Sequence, residues 1–376
     1  MKLRTRSFEV RARTQPQLVS LLGTRVPELA VGETGLIFCT REAAGVVREV
    51  ALALASRSSG TWVIIAGHSV SSERGEIEGE IAATGMVLHG TRVKIVARDC
   101  ADPDFGAELG RALSSHRGAS ALTLLRADQL EEDWVSALYD TAPEGQRQLY
   151  GGGTCPDVPL LIADAGKVRA VRALALVVER SRPAQVAVSS ACRLISPLQR
   201  VTSAEGPLLL TLDHLPALSA LGEAAHELHD QSPVLIAQAA AEGALGPDAR
   251  SLALKPLAGI DPTRGALLLS SEVPLGARVA FAIRDARSGK QDFEAHLKNL
   301  VQGSRGAAPD FGILVSCSGR GAALFGPNMT DARLVAQRFP ELPFAGFSSY
   351  FELGELDGRL TSQIYSALLG LYCNPS

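Results

Sequence analysis

The sequence predicts an α/β (α+β) fold: mixed or antiparallel sheets flanked by helices, built from duplicated strand–helix–strand–hairpin subdomains. Three observations carry this. Hydrophobic residues make up 46% of the 376 residues and charged ones 20%, the composition of a chain with a large core rather than long disorder. Short apolar runs suited to strands alternate with stretches that repeat their apolar residues at helical spacing. And one order of elements, strand, helix, strand, Gly-x-Ser/Thr tip, hairpin, recurs three times, as duplicated subdomains would.

In the first copy, Gly35 to Phe38 reads as a buried strand ending in Cys39-Thr40. Thr40 is placed to cap a helix carrying Ala43, Val46, Val47, Val50, Ala51 and Leu54 on one face. Trp62 to Ala66 is the next strand, ending in Gly67-His68-Ser69, and a polar loop follows. Ile81–Leu88 and Arg92–Ala97 then read as a hairpin turning at His89-Gly90-Thr91. The second copy has a strand at Ala121–Leu125 and a capping box, Asp128 with Glu131, for a helix bearing Leu130, Trp134 and Leu138. Its second strand ends in Gly151-Gly152-Gly153-Thr154-Cys155, and Leu160–Ala163 pairs with Val168–Val178 as its hairpin. The third copy opens on Gly312–Ser316 and the turn Cys317-Ser318-Gly319-Arg320-Gly321. A helix capped by Asn328 or Thr330 follows, then Pro343–Ala345 with the tip Gly346-Phe347-Ser348, and a hairpin through Asp357-Gly358. Between copies two and three lie an amphipathic helix, Leu215–His229, and an antiparallel meander over Ser251–Ala258, Ala266–Leu269 and Val279–Ile283. We set a domain boundary near Arg182–Gly206, with 1–190 holding two repeat units and 191–376 the meander and the third.

Bulk properties exclude several function classes. A net charge of −3 with scattered Lys and Arg argues against a nucleic-acid or anionic-membrane surface, and 5% aromatics against stacking platforms for bases. The basic stretch Met1–Arg13 lacks the apolar segment of a secretory signal, and no apolar run approaches a membrane span. The six cysteines have no CxxC spacing, so we expect free thiols in a reducing cytoplasm and no zinc site.

The chemistry concentrates at the strand ends, where free backbone N–H groups and small side chains converge in α/β proteins. Arg320 offers a forked pair of donors to a ligand carboxylate, aided by Ser316 or Ser318 and the glycine backbone; alternatively it pairs structurally with a carboxylate such as Glu352. Cys317 and Cys39 are either buried thiols or nucleophiles, the latter requiring a nearby base. His68 is either a solvated loop residue, a pocket donor or a haem ligand. His226 and His229 share a helix face, but no third metal ligand accompanies them. The run Gly151–Gly153 leads to a strand rather than a helix N-terminus, which excludes a nucleotide-binding turn.

The segments LVSCSGRGAALFG and LPFAGFSSYFELGELDG resemble the C-terminal half of FIST-domain proteins, and LIFCT with VIIAGHSV resembles the N-terminal half. The family's Gly-Glu pair is matched here by Phe351-Glu352, which keeps Glu352 but not the glycine; Glu355 stands where a proline is usual, and the family's His-containing patch is absent around Ser362. The resemblance implies a cytoplasmic sensory module for small molecules such as amino acids, with haem-binding nitric-oxide sensors among its relatives. We therefore expect a non-enzymatic sensor that binds an amino-acid-like or carboxylate ligand. Cys39, Gly67, His68, Ser69, Gly153, Thr154, Cys317, Ser318, Gly319, Arg320, Gly321, Gly346, Phe347, Ser348 and Glu352 are the expected ligand-binding residues. No kinase, cyclase or helix-turn-helix segment is visible, so output is expected through a separate protein, such as a histidine kinase, or through self-association. The alternatives are a haem-based gas sensor and a cysteine-dependent amidase or acyltransferase.

Overall fold

The computed structural model describes residues 5–129, 133–146, 148–226, 233–239, 252–303, 308–326, 330–356 and 359–373. Its elements fall into three repeats and one insertion. Repeat I comprises β1 (Arg6–Ala12), α1 (Gln15–Arg25), β2 (Thr34–Cys39), a 3₁₀ turn (Arg41–Val46), α2 (Val47–Ala55), β3 (Thr61–Ala66), β4 (Val70–Ser72), β5 (Gly75–Ile77) and β6 (Ile81–Val87). Repeat II comprises β7 (Arg92–Arg98), α3 (Pro103–Ser114), β8 (Ala119–Arg126), α4 (Asp133–Thr141), β9 (Leu149–Thr154), β10 (Leu160–Asp164), β11 (Lys167–Val171) and β12 (Ala173–Glu179). Repeat III opens with β13 (Gln185–Ser190) and is interrupted by β14 (Cys192–Leu194), β15 (Gln199–Glu205), β16 (Leu208–Leu212), β17 (Leu215–Pro216), α5 (Ala217–Ala225), β18 (Val234–Ala239), β19 (Leu252–Asp261), β20 (Ala266–Leu269) and β21 (Arg278–Arg284). It resumes with α6 (Ala286–Gly303), β22 (Pro309–Cys317), α7 (Gly321–Phe325), α8 (Asp331–Arg338), β23 (Phe344–Ser349), β24 (Glu352–Leu356), β25 (Arg359–Gln363) and β26 (Ser366–Cys373).

The three repeats build three equivalent six-stranded sheets, ordered β1-β6-β2-β3-β10-β11, β7-β12-β8-β9-β24-β25 and β13-β26-β22-β23-β4-β5. In each, the two strands flanking a helix run parallel and the remaining neighbours antiparallel. The hairpin that each repeat makes does not stay in its own sheet. β4–β5 of repeat I completes the sheet of repeat III, β10–β11 of repeat II that of repeat I, and β24–β25 of repeat III that of repeat II. The repeats are thus interlocked in a ring by exchanged hairpins.

Strand alternation explains how the sheets pack. Leu36, Phe38, Val63 and Ile65 of repeat I, Leu122, Leu124 and Tyr150 of repeat II, and Ile313, Val315, Phe347 and Leu368 of repeat III share one central core. The alternate residues face outward under each repeat's own helices. Ile37, Trp62 and Ile64 meet α1 and α2; Ala121 and Leu125 meet α3 and α4; Leu314, Phe344 and Leu369 meet α6 and α8. The insertion forms a closed antiparallel ring, β21-β15-β16-β20-β19-β18 and back to β21, around Val201, Leu209, Ile236, Leu267 and Phe281.

Several sequence expectations change. Each repeat begins one strand and one helix earlier than the recurring pattern shows, and the polar loop after Ser69 contains the hairpin β4–β5. Ile81–Leu88 and Arg92–Ala97 are not a hairpin: β6 pairs with β1 and β2, while β7 pairs along its full length with β12 of another sheet. Val168–Val178 likewise divides into β11 and β12, which lie in different sheets. Gly152-Gly153-Thr154 and Gly346-Phe347-Ser348 lie inside β9 and β23, whereas Gly67-His68-Ser69 follows β3. Thr40 does not cap a helix with its side chain; its hydroxyl donates to the Glu80 carbonyl at 2.7 Å, drawn there by the ladder to β6. Helix α5 begins at Ala217, because Leu215 and Pro216 pair with β16. Glu131, Leu130, His229, Asn328 and Asp357-Gly358 lie outside the described residues.

Candidate functional site

The parallel pair β22–β23 directs its C-terminal ends to the turn Ser318–Gly321, the position at which open α/β sheets gather ligands. Hairpin β4–β5 of repeat I is the next neighbour on β23. Val70 and Ile77 of that hairpin point into the central core, so alternation puts Ser69, Ser71, Glu76 and Glu78 on the opposite, outer face. Gly346 and Ser348 of β23 and Ser316 of β22 share that face, since Ala345, Phe347 and Val315 point inward. A polar patch made by two repeats results.

Its bonds are specific. The Ser69 and Ser348 hydroxyls lie 2.6 Å apart, and both donate to Glu76 Oε1, Ser348 at 2.9 Å. His68 Nε2 stands 3.1 Å from Glu78 Oε1, and the His68 N–H donates to the Ser348 carbonyl. A Cβ built on Gly321 would sit 3.3 Å from Glu76 Oε1 and 3.5 Å from Glu78 Oε2, so glycine leaves these carboxylates room at the turn. Burial holds the half-buried Glu76 carboxyl above its ordinary range; the Ser69 and Ser348 hydroxyls oppose this, and the charges of Asp331 and Glu78 add to it. The Ser71 hydroxyl, 5% exposed and cross-strand from Glu76, has no hydrogen-bond partner among the described residues.

Arg320 lies beneath this patch and is fully buried. Nε and Nη2 grip Asp331 at 2.8 and 2.9 Å, and Nη1 donates to the carbonyls of Ser189 and Tyr365. Ser316 Oγ donates to the same carboxylate at 2.6 Å, and Phe293 and Phe325 flank the guanidinium. The partner is therefore Asp331 rather than Glu352, and the fork that the sequence offers to a ligand is taken up inside the protein.

Glu352 is fully buried on the inner side of the turn. It accepts from Ser349 Oγ at 2.7 Å and from the Ser366 N–H at 3.0 Å, beside Cys317. Burial pushes its carboxyl up to about 8, against the pull of these donors and of the Arg320 charge. Cys317 is raised by burial and then by the neighbouring Glu352 charge, while Cys39 is pushed up to about 12 by burial alone. Both thiols hold their protons at neutral pH, which gives a nucleophilic role no footing. They also face opposite ways: Cys317 continues the inward series Ile313 and Val315, whereas Cys39 packs outward with Ile37 beneath α1 and α2.

The structure thus brings together Gly67, His68, Ser69, Ser348 and Gly321 and sets Cys317, Ser318, Gly319, Arg320 and Glu352 around the same turn, whereas the Phe347 side chain, also expected at the ligand, points into the central core and stacks on Phe38. Gly346 lies on the patch, its Cβ position 2.8 Å from Ser71 Oγ. Gly153 instead lies against Phe351 and Tyr350 inside the second sheet, where the Thr154 hydroxyl donates to the Leu125 carbonyl, and Cys39 belongs to the core of repeat I. Sequence reasoning missed Glu76, Glu78, Asp331 and Ser71. The available signal was Gly75-Glu76-Ile77-Glu78, a turn glycine followed by polar–apolar–polar alternation.

Among the described residues no group of three or more His, Cys, Asp and Glu could hold a metal ion, and no helix is long and apolar enough to cross a membrane. Comparison with known proteins finds two adjacent domain models along the chain. A FIST N domain model matches residues 33–215 and a FIST C domain model residues 217–355, so their junction falls within the inserted ring. The chain is 28% identical over 191 residues to the uncharacterized protein Mb0898c of Mycobacterium bovis, covering 49% of each chain. It shows the same identity to the uncharacterized protein Rv0628c of Mycobacterium tuberculosis, covering 49% of this chain and 50% of that one. The match spans about half the length of these relatives. With the two models together covering most of its length, the chain belongs to the FIST family, whose domains are associated with sensing and signal transduction.

Proposed function

We propose that the protein is a non-enzymatic sensor whose small ligand binds at the patch between hairpin β4–β5 and the turn Ser318–Gly321, an amine group of the ligand meeting Glu76 and Glu78. One observation carries this reading. Glu76 lies among Asp331 and Glu78 and, among the described residues, has two serine hydroxyls for partners, because Arg320 is committed to Asp331 and His68 stands against Glu78. A bound ammonium supplies the missing positive charge, and the unpartnered Ser71 hydroxyl supplies a further polar contact. A ligand offering only a carboxylate meets like charge there. An amino-acid-like molecule fits better, and its binding at a seam between two interlocked repeats is suited to changing how they pack. Output then passes to a separate signalling protein, such as a histidine kinase.

His68 does not fit the haem alternative. Its neighbours are Ser69, Glu76, Glu78 and Ser348, a polar and acidic surround, whereas a porphyrin needs an apolar slot. Reconstitution with haemin is expected to give no Soret band that His68→Ala removes.

The test is a melting screen of amino acids and simple amines on wild type, Glu76→Gln and Ser348→Ala. At least one amine-bearing compound should stabilise the wild type, and Glu76→Gln should abolish the shift. A panel without effect, or a shift that survives in Glu76→Gln, sinks the reading.

A further inference from the structure

Arg284 is the last residue of β21 and faces Cys192 of β14 across the ladder. Its side chain crosses from the inserted ring to repeat III. One Nη donates to the Gly319 carbonyl, and the guanidinium lies over the Tyr365 ring, 4.6 Å from the centroid. Tyr365 holds a left-handed backbone, φ 56°, which is unfavourable for a bulky aromatic residue. Its ring fills the space beside Gly319, where a Cβ would come within 2.5 Å of Cε1. The chain is thus held in a strained conformation with an aromatic face beneath a guanidinium. Arg284 Nε is nevertheless buried with no hydrogen-bond partner among the described residues. A buried N–H of this kind in a native protein calls for an explanation. Ser318, Gly319, Arg284 and Tyr365 are all partly exposed, so the site lies next to solvent.

We infer that Arg284, stacked on Tyr365, forms an anion subsite that takes a carboxylate through its unused N–H groups, the role the sequence suggests for Arg320. Planar carboxylates match a guanidinium edge, and the aromatic face holds that edge in one orientation. The inference rests on the amine site proposed above, because the two flank one turn: Gly321 faces Glu76 and Glu78, and Gly319 faces Arg284. Two consecutive Cα–Cα steps separate the two glycines by at most about 7.6 Å, so the subsites adjoin one turn, and the ligand they suit together is a small zwitterion. Because Arg284 belongs to the ring and Glu76 to repeat I, such a ligand bridges the insertion and the interlocked repeats.

The test uses sodium acetate as the probe, against sodium chloride of equal ionic strength, on the full chain. Acetate should raise the wild-type melting temperature saturably and move the Arg284 Nε–H resonance in a ¹H–¹⁵N spectrum. Arg284→Gln should abolish the acetate response, and Arg284→Lys, which keeps charge but loses the planar fork, should weaken it about tenfold or more. If Arg284→Gln does not fold, Arg284→Lys and the wild-type resonance decide. An acetate effect equal to that of chloride, or an unchanged response in either variant, overturns the subsite. An amino acid, bearing both amine and carboxylate, that stabilises Arg284→Gln as strongly as wild type overturns the subsite and leaves the Glu76 site standing. An acetate response kept in Glu76→Gln, with the amine response lost, supports the subsite on its own.

Discussion

Strands β2 and β22 hold the same place in their sheets, third from the edge and parallel to the strand after the helix, and both end in cysteine. Beyond that they diverge. β2 runs into Thr40, tied to β6, and a 3₁₀ turn under α1 and α2, so repeat I closes over an apolar end. β22 runs into Ser318–Gly321, where a buried ion pair, a buried carboxyl and a half-buried acidic patch surround one turn. The inward residues of β2 are Leu36 and Phe38 and those of β22 are Phe311, Ile313 and Val315, so the two cysteines are one residue out of phase. A one-residue slip moves a side chain to the other face of a sheet. Repetition therefore fixes the scaffold, and the departures from it mark the turn at which we propose the ligand binds.

The largest expected effect breaks the repeat III end outright. Arg320→Ala leaves Asp331 buried without its partner and should cost about 3–5 kcal/mol in urea unfolding. Arg41, at the start of the repeat I turn, has no such burial, and Arg41→Ala should change stability by about 0.5 kcal/mol or less.

Glu352 gives the next effect, and its direction follows from linkage. Its folded-state carboxyl is raised from 4.5 to about 8, so the stability it contributes is present in full below about pH 4.5. It is lost as pH rises toward 8, at up to about 1.4 kcal/mol per pH unit. Glu352→Gln should flatten this slope in denaturant titrations at pH 5, 6, 7 and 8, and an unaltered slope would show that another group sets it.

The cysteines sharpen the comparison further. Cys39→Ser buries a hydroxyl among apolar neighbours and should cost about 1–3 kcal/mol. Cys317→Ser places its hydroxyl beside the Glu352 carboxyl, which can accept it, and should cost less than about 1 kcal/mol. Equal losses would mean that the two strand ends are alike after all. Smallest in energy is a labelling difference: Cys100 is exposed and should react first with iodoacetamide, while Cys39 and Cys317 react only as the protein opens.

Much of the scaffold is legible in the sequence, because buried parallel strands and amphipathic helices have strong local signatures. Strands such as Trp62–Ala66 and the inner helix faces follow from periodicity. Hairpin exchange does not, since a hairpin's sequence specifies its own turn and not the sheet that receives it. Leu160–Asp164 pairs locally with Lys167–Val171, yet its other neighbour is Thr61–Ile64 of repeat I. The candidate site was legible only in part for the same reason. Ser69 and Ser348 can be picked out as small polar residues at strand ends, but nothing local joins them to each other across 279 positions, or Ser348 to Glu76 across 272. Arg320 shows the opposite error: a guanidinium in a glycine-rich turn suggests a ligand, and only tertiary packing brings Asp331 to it.

The central claim is that the ligand sits where repeat I's hairpin meets repeat III's turn. Hydrogen exchange followed by mass spectrometry, with and without the amine-bearing compound giving the largest melting shift, tests it most directly. Protection should concentrate in residues 68–78 and 318–326. Protection confined to the ring, residues 199–284, with these two segments unchanged, would contradict it.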